Sequence, residues 1–375
     1  MVIDLNLFLT TALAVIVLLV GDYIKKRVEI LRKFCIPIPV IGGLIFTTLL
    51  SIGYSTGLFT FKFNFALSDV FMLAFYSSIG FTASYKLLKK GGPKVIKFLI
   101  VSIIVVILQN FLGIYLAKLL GLNPLVGLAT ASIPMTGGHG TSAAFAPVLE
   151  EAGLENALTI TLAAATFGLV AGSLTGGPIG KFLIEKYKLL TGKAAEKVEG
   201  IEEIEKGNEK LDEKRIYSAV YQLLVSMALG SIISMLLKKT GLTFPASVGA
   251  MIAAAIIRNI ADYSTWLKIK ENEIRIIGDI SRILFLAFSM MSLKLWQLTD
   301  LAVPMIILLI AQTILMGLCA VFFTYRVMGK NYEAAMMAVG HCGFGLGAVP
   351  TAMANMQSIE EKYGPAPTAF FILPL

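Results

Sequence analysis

Charge is what this chain has least of. Only 15% of its 375 residues are Asp, Glu, Lys or Arg, where soluble domains carry roughly 25%. With a mean hydropathy of +0.80, that deficit excludes an ordinary water-soluble enzyme. Cysteine is scarce as well. Cys35, Cys319 and Cys342 all sit in apolar context, so no disulfide framework is expected. Histidine is scarcer still: His139 and His341 are the whole supply. Zn²⁺ takes about four ligands, and two histidines with no further ligand in reach argue against a metal centre. The stretch from Leu5 to Val20 lacks both a positive n-region and a small-residue cleavage site. It reads as a first transmembrane helix and not as a cleaved signal. Cations are nearly missing from predicted membrane depth, since Arg282 lies close enough to a span end to snorkel.

What the chain has in abundance is apolar runs of about 20 residues, long enough to cross a bilayer. The predicted spans are 5–21, 36–53, 70–86, 96–119 and 156–184 in the first half. In the second half they are 216–237, 243–260, 280–297, 303–325 and a last one starting near 367. That last run, from Thr368 to Leu375, is far shorter than a span, as if the chain stopped inside a helix. Between the halves, 17 of the 31 residues from Glu185 to Arg215 are charged. Their signs nearly cancel, which reads as a solvated linker.

The net charge of +8 does not point to nucleic acid, because the basic residues sit in loops between spans. Placing both termini outside puts 26 of the 32 Lys and Arg on the cytoplasmic side, the linker included. Each half then holds five spans, an odd number, and the halves take opposite orientations.

Two glycine-rich stretches resemble each other across these halves. Ser132 to Pro147 (SIPMTGGHGTSAAFAP) is answered by Ala338 to Pro350 (AVGHCGFGLGAVP). A constant offset of 203 relates Gln109 to Gln312, Gly137 to Gly340, Gly140 to Gly343 and Pro147 to Pro350. Weaker echoes link Ile36–Gly43 to Phe244–Gly249, and Leu73–Phe75 to Leu286–Phe288. Glycine costs about 1 kcal/mol against alanine inside a helix, and irregular backbone survives in a membrane only where protein or a polar cavity satisfies it. A matched pair of glycine-interrupted apolar segments is the sequence sign of a transporter binding site.

The fold expected is therefore an all-α polytopic membrane protein. It has two inverted-topology repeats of five transmembrane helices, each with a re-entrant Gly-rich hairpin. Residues 1–184 form the first repeat with a hairpin at 124–150, 185–215 the cytoplasmic linker, and 216–375 the second repeat with a hairpin at 334–352. Spans 1, 2, 6 and 7, which lack polar clusters, are expected to form a scaffold and dimer contact. The hairpins with spans 3–5 and 8–10 would form a mobile unit.

Hairpin tips meeting at mid-membrane bring helix N-termini together, each with unpaired N–H groups and about half a positive charge. That is an anion site made of backbone, suited to a carboxylate. The expected substrate contacts are Thr136, Gly137, Gly138, His139, Gly140 and Thr141 in the first hairpin. The second supplies Gly340, His341, Cys342, Gly343, Phe344, Gly345 and Gly347. Oxygens of Thr136, Thr141, Ser142, Thr351, Asn355 and Gln357 suit Na⁺, with Thr136, Thr351 and Asn355 the preferred ligands. Single Ser and Thr residues in membrane helices also bond their own backbone. Gln109 and Gln312 fit helix–helix bonding at least as well as substrate contact. For His139 and His341, substrate contact and structural hydrogen bonding both stand, with proton coupling a lesser option.

Taken together, these residues resemble the bacterial sodium/glutamate symporter family. The resemblance is carried by Ile36–Gly43, Leu73–Phe75 with Ile79-Gly80, Ser132–Gly140 and Ala165–Leu169. In the second half it is carried by Leu293–Trp296, Met328–Tyr332, Gly340–Gly347, Pro350-Thr351 and Ala354–Gln357. It implies Na⁺-coupled uptake of glutamate across the inner membrane by a homodimer whose hairpin-bearing domain moves in an elevator-like way, with sodium as coupling ion and no other cofactor. It also implies that a tenth span is completed beyond the last residue here.

A carrier of another small carboxylate such as citrate is the nearest alternative. Further carboxylates would favour a Lys or Arg at the tips, and none is present in 124–150 or 334–352. An intramembrane hydrolase would have to pair His139 with Ser142, without an acidic orienter. A channel would favour pore rings from identical subunits, whereas the symmetry here is internal.

Overall fold

A computed structural model describes residues 2–34, 36–189, 213–239, 244–264, 266–294 and 301–374. Cys35 and all but the two ends of the predicted linker lie outside the described residues. The chain begins with β1 (Val2–Asp4), α1 (Leu7–Arg27), α2 (Glu29–Lys33), α3 (Ile38–Ser55) and β2 (Thr60–Lys62). α4 (Ala66–Gly80) and α5 (Tyr85–Leu119) follow, and then three shorter helices, α6 (Pro124–Ala129), α7 (Ser132–Met135) and α8 (Gly138–Glu151). Next come α9 (Ala157–Lys186), α10 (Glu213–Lys239), α11 (Ala246–Asp262), α12 (Glu271–Met291) and α13 (Ala302–Cys319). A π-turn (Ala320–Thr324) leads into α14 (Tyr325–Val327), α15 (Tyr332–Leu346), α16 (Val349–Tyr363) and α17 (Pro367–Ile372). Six of these segments are long and apolar enough to cross a membrane: α1, α3, α5 from Gly92 onward, α9, α10 and α13–α14.

The chain folds as two compact units. One unit comprises Met1–Ile24, Ile38–Lys90 and Glu203–Leu295. Its strands β1 and β2 pair in parallel, Val2 opposite Thr60. Glycines let its helices cross closely. A Cβ on Gly42 would lie 2.0 Å from the Val17 carbonyl oxygen, and one on Gly21 would lie 2.5 Å from that of Ile38. α10 and α11 cross in the same manner, with a Cβ on Gly249 2.3 Å from the Gly230 carbonyl oxygen.

This unit corrects the expected partition. Spans 3 and 8, expected beside the hairpins, are α4 and α12, and both pack among the expected scaffold helices. The reason is again close approach: a Cβ on Gly80 would lie 2.2 Å from the Met251 carbonyl oxygen of α11, and one on Gly278 would strike the Ser78 side chain. Gly43 of α3 meets Met290 of α12 likewise. Phe288 and Met291 of α12 share a core with Ala14 and Val17 of α1.

At one end of this unit, buried charges pair. Arg258 of α11 contacts Asp262 at 3.0 Å and Glu271 of α12. Arg215 Nε lies 2.6 Å from Glu273, whose side chain is 2% exposed. Burial alone would raise the Glu273 pKa, but the hydrogen bond and charge of Arg215, with a backbone bond and Lys270, hold it below the ordinary glutamate value.

The other unit comprises Lys25–Pro37, Gly91–Glu202 and Trp296–Leu375. Both glycine-rich segments lie in it, around α9. Each opens on an asparagine cap: the Asn123 side chain accepts from Leu125 N–H ahead of α6, and Asn331 accepts from Ala334 N–H ahead of α15. α9 carries Gly168, Gly172, Gly176 and Gly180, one per turn, and this stripe receives the second segment. A Cβ on Gly168 would lie 2.2 Å from the Leu346 carbonyl oxygen, on Gly176 2.3 Å from the Asn355 amide nitrogen, and on Gly180 2.6 Å from Val339. Small residues at this spacing let helices approach backbone to backbone.

Candidate functional site

Two interruptions build the site. α7 ends at Met135, and α8 restarts at Gly138 with φ 64°, a left-handed conformation that glycine takes without steric cost. α15 ends at Leu346, and Ala348 is extended before α16. The interruptions face each other: a Cβ on Gly138 would lie 2.9 Å from the Gly347 carbonyl oxygen. Neither α8 nor α16 has a side-chain cap. Their first-turn N–H groups, with about half a positive charge at each helix start, are offered to the gap.

Gln109 of α5 fastens one segment to the other. Its Nε2 donates to the Gly345 carbonyl at 2.8 Å, and its Oε1 accepts from the Thr136 hydroxyl at 2.8 Å. Gln312 of α13 donates from Nε2 to the Gln109 backbone carbonyl at 2.8 Å. Both side chains are fully buried. The sequence relation between these two glutamines is thus a physical contact, and helix–helix bonding accounts for it. The neighbouring Asn110 escaped the sequence reading. Its Oδ1 accepts from the Ser132 hydroxyl at 2.7 Å and the Ser132 N–H at 3.3 Å, holding the first turn of α7.

The two histidines are each held by a threonine of an adjacent element. His139 Nε2 lies 3.0 Å from the Thr166 hydroxyl of α9. The Thr166 hydroxyl also lies 2.9 Å from the Leu162 carbonyl of its own helix. His341 Nδ1 lies 2.8 Å from the hydroxyl of Thr324, the last residue of the π-turn. Its ring packs against Phe98 and Phe344, centroids 5.1 and 6.1 Å away. The extra residue of a π-turn re-aims a side chain, a signal that apolar periodicity does not carry. Ser142 donates to the Thr161 carbonyl at 3.2 Å, so the His139–Ser142 pair that a hydrolase would need is not assembled.

Most of the second set of glycines serve packing. Gly340, Gly343 and Gly345 lie inside α15, not in its break. A Cβ on Gly340 would meet Leu373, on Gly343 it would lie 2.5 Å from Ala352 Cα, and on Gly345 2.4 Å from Met316 Sδ. Cys342 is buried on the same helix, its carbonyl facing Gly172. In the first segment Gly137, Gly140 and Thr141 are half-buried around the start of α8. The interruptions are therefore narrower than the glycine runs: in the first a turn at 136–137 leads into the positive φ of Gly138, and in the second only 347–348 leave the helical path.

Oxygens surround these interruptions. Thr351, in the first turn of α16, is buried, and its hydroxyl has no hydrogen-bond partner among the described residues; Gln312 Oε1 is in the same condition. Asn355 donates from Nδ2 to the Gly172 carbonyl at 2.8 Å, which leaves Oδ1 as its free acceptor end. Gln357 is exposed on α16, away from this buried set.

Such features define a class: an all-helical, polytopic membrane protein with two broken helices apposed at their breaks. The family model for sodium/glutamate symporters matches residues 3–365. The sodium/glutamate symporter of Escherichia coli (strain K12) is 39% identical over 99% of this chain and 93% of its own length. That of Haemophilus influenzae is 37% identical over 98% and 92%. A sodium proton antiporter structure from Methanocaldococcus jannaschii superposes with a TM-score of 0.45 at 17% identity, covering 98% of this chain and 93% of that one. The chain belongs to the sodium/glutamate symporter family.

Proposed function

We propose that this protein is a secondary transporter that carries glutamate with Na⁺ across the inner membrane, and that the apposed breaks hold both. The observation that carries this reading is the meeting of Gly138 with Gly347 at two uncapped helix starts. Backbone N–H groups there suit a substrate carboxylate, and the absence of Cβ atoms lets it come close. Glutamate carries a net charge of about −1 at neutral pH, judged from ordinary side-chain and terminal pKa values. Partial charges at two helix ends compensate it only in part, so a bound cation nearby contributes by short-range attraction in low dielectric. Thr136, Thr351 and Asn355 supply oxygens for that ion. The buried hydroxyl of Thr351 with no partner supports the assignment, since an unsatisfied buried polar group costs about 1–3 kcal/mol that an ion would offset. The citrate alternative lacks the tip cation it would favour.

The same reading includes inverted repeats, re-entrant segments, a homodimer, elevator-like movement of the hairpin-bearing unit, and a cytoplasmic linker with both termini outside. The glycine crossings of α1 with α3 and of α10 with α11 support the repeat. Cysteines introduced at Ser55 and Lys206 then label from opposite faces, and labelling from one face contradicts the inversion. Coupling has its own test. Calorimetry finds tighter glutamate binding in Na⁺ than in choline, with reciprocal tightening of Na⁺ by glutamate; equal affinity in both salts refutes it.

A further inference from the structure

The hairpin-bearing unit has a second place built for an anion, at the end of α9 and α14. A cavity of about 560 Å³ there is lined by Tyr187, Leu189, Tyr325, Arg326 and Lys330. Tyr187 and Tyr325 stack at 5.3 Å, with planes 24° apart, and form its floor. The Tyr325 hydroxyl donates to the Lys330 carbonyl at 3.1 Å, and Lys330 N–H returns a bond to the Tyr325 carbonyl at 3.1 Å. This double tie holds Lys330 at φ 54°, left-handed backbone that a lysine seldom takes. Arg326 is braced over the Phe322 ring at 5.6 Å, and Lys186 over Phe182 at 4.8 Å. Among the described residues, neither Arg326 nor Lys330 forms an ion pair. The nearby Glu185 accepts from the Tyr363 hydroxyl.

Two cations that have no ion-pair partner among the described residues, set beside a stacked tyrosine pair, ask for an anion. The site lies where the apolar runs of α9 and α13–α14 end, so it stands at the membrane–water boundary in either orientation of the chain. Phe322 and Phe182, 55% and 46% exposed, add apolar surface beside it. We infer that this cleft binds the headgroup of an anionic phospholipid, with Arg326 and Lys330 on the phosphodiester and the tyrosine pair beneath it. A guanidinium matches phosphate oxygens in bidentate fashion, and basic pockets between membrane helices suit such headgroups. The inference rests on the membrane-spanning reading and not on the identity of the transported substrate.

The test uses the purified full chain in a neutral detergent, with thermal unfolding and native mass spectrometry as readouts. Short-chain phosphatidylglycerol, phosphatidylcholine and inorganic phosphate are added separately. Phosphatidylglycerol is expected to raise the unfolding midpoint and remain bound, while the other two do neither. The Arg326→Gln, Lys330→Gln double variant loses at least half of that shift, and Lys118→Gln, at the far end of α5, keeps it. An equal shift in the double variant, or equal retention of phosphatidylcholine, overturns the site. Inorganic phosphate reproducing the full shift overturns the lipid assignment in favour of a soluble phosphate.

Discussion

Gln312 Nε2 donates to the backbone carbonyl of Gln109, 203 residues earlier in the chain, at 2.8 Å. The two amides stand in one line of bonds, yet they do unequal work. Gln109 satisfies the Gly345 carbonyl and the Thr136 hydroxyl at once, whereas Gln312 Oε1 is already without a partner. Gln109→Leu therefore leaves the Gly345 carbonyl and the Thr136 hydroxyl with only their long 3.5 Å bond to each other, at a cost of about 1–3 kcal/mol, and lowers the unfolding midpoint of the purified protein markedly. Gln312→Leu removes one bond together with one orphaned acceptor, and its effect is smaller. Equal effects from the two variants would contradict this division.

Glycine substitutions separate packing from ligand approach. Gly343→Ala drives a Cβ into Ala352, so it destabilises the fold by about 1–3 kcal/mol, as overpacking does, and lost uptake follows lost stability. Gly138→Ala strains a φ of 64° by about 1–2 kcal/mol and places a methyl between the breaks. Its folded fraction, isolated by size-exclusion chromatography, is expected to lose glutamate binding. Normal binding by that fraction would remove the breaks from the site.

Asn355→Ala takes away an amide that bonds Gly172 of α9 and leaves Oδ1 free, in the second turn of α16. The Na⁺ concentration for half-maximal uptake is expected to rise more than glutamate KM measured at saturating Na⁺. A rise confined to glutamate KM would assign Asn355 to substrate and not to ion.

Acid should act on the other unit through Glu273. Its folded pKa lies below the ordinary glutamate value, so its ionised form stabilises the fold. That contribution is full above the unfolded pKa of about 4.3 and is lost as pH falls through the depressed folded value. Thermal unfolding of Glu273→Gln against the unaltered protein shows the largest deficit at neutral pH and a shrinking one below about pH 4. A constant deficit down to strongly acid pH would mean that packing, not ionisation, is what Glu273 contributes.

Much of this was legible in the sequence, for reasons that differ by element. The long apolar runs announced α1, α5, α9, α10 and α13 because lipid admits few other compositions. The offset of 203 marked Gln109 and Gln312 as buried amides fit for helix–helix bonding, but that they bond to each other was not legible, because equivalent positions in two sequence segments need not touch. Glycine density, however, spoke with two meanings. At Gly138 it marks a break with positive φ, while at Gly340, Gly343 and Gly345 it marks a helix face pressed against Leu373, Ala352 and Met316. Composition cannot tell these apart, because both demand a missing Cβ. Thr166 and Thr324 were hidden for another reason. Each looks like any threonine bonding its own helix until its partner, His139 or His341, is known. The grouping of α4 and α12 with α1, α3, α10 and α11 depended on where Gly80 and Gly278 point, which hydropathy does not encode.

Radiolabelled glutamate uptake into proteoliposomes containing only the purified protein tests the central claim most directly. With an inward Na⁺ gradient, glutamate is expected to accumulate above its external concentration. Accumulation is expected to stop when choline replaces Na⁺ or when an ionophore dissipates the gradient. Uptake that is equally fast in Na⁺ and choline, or Na⁺-driven accumulation of citrate with none of glutamate, would contradict it.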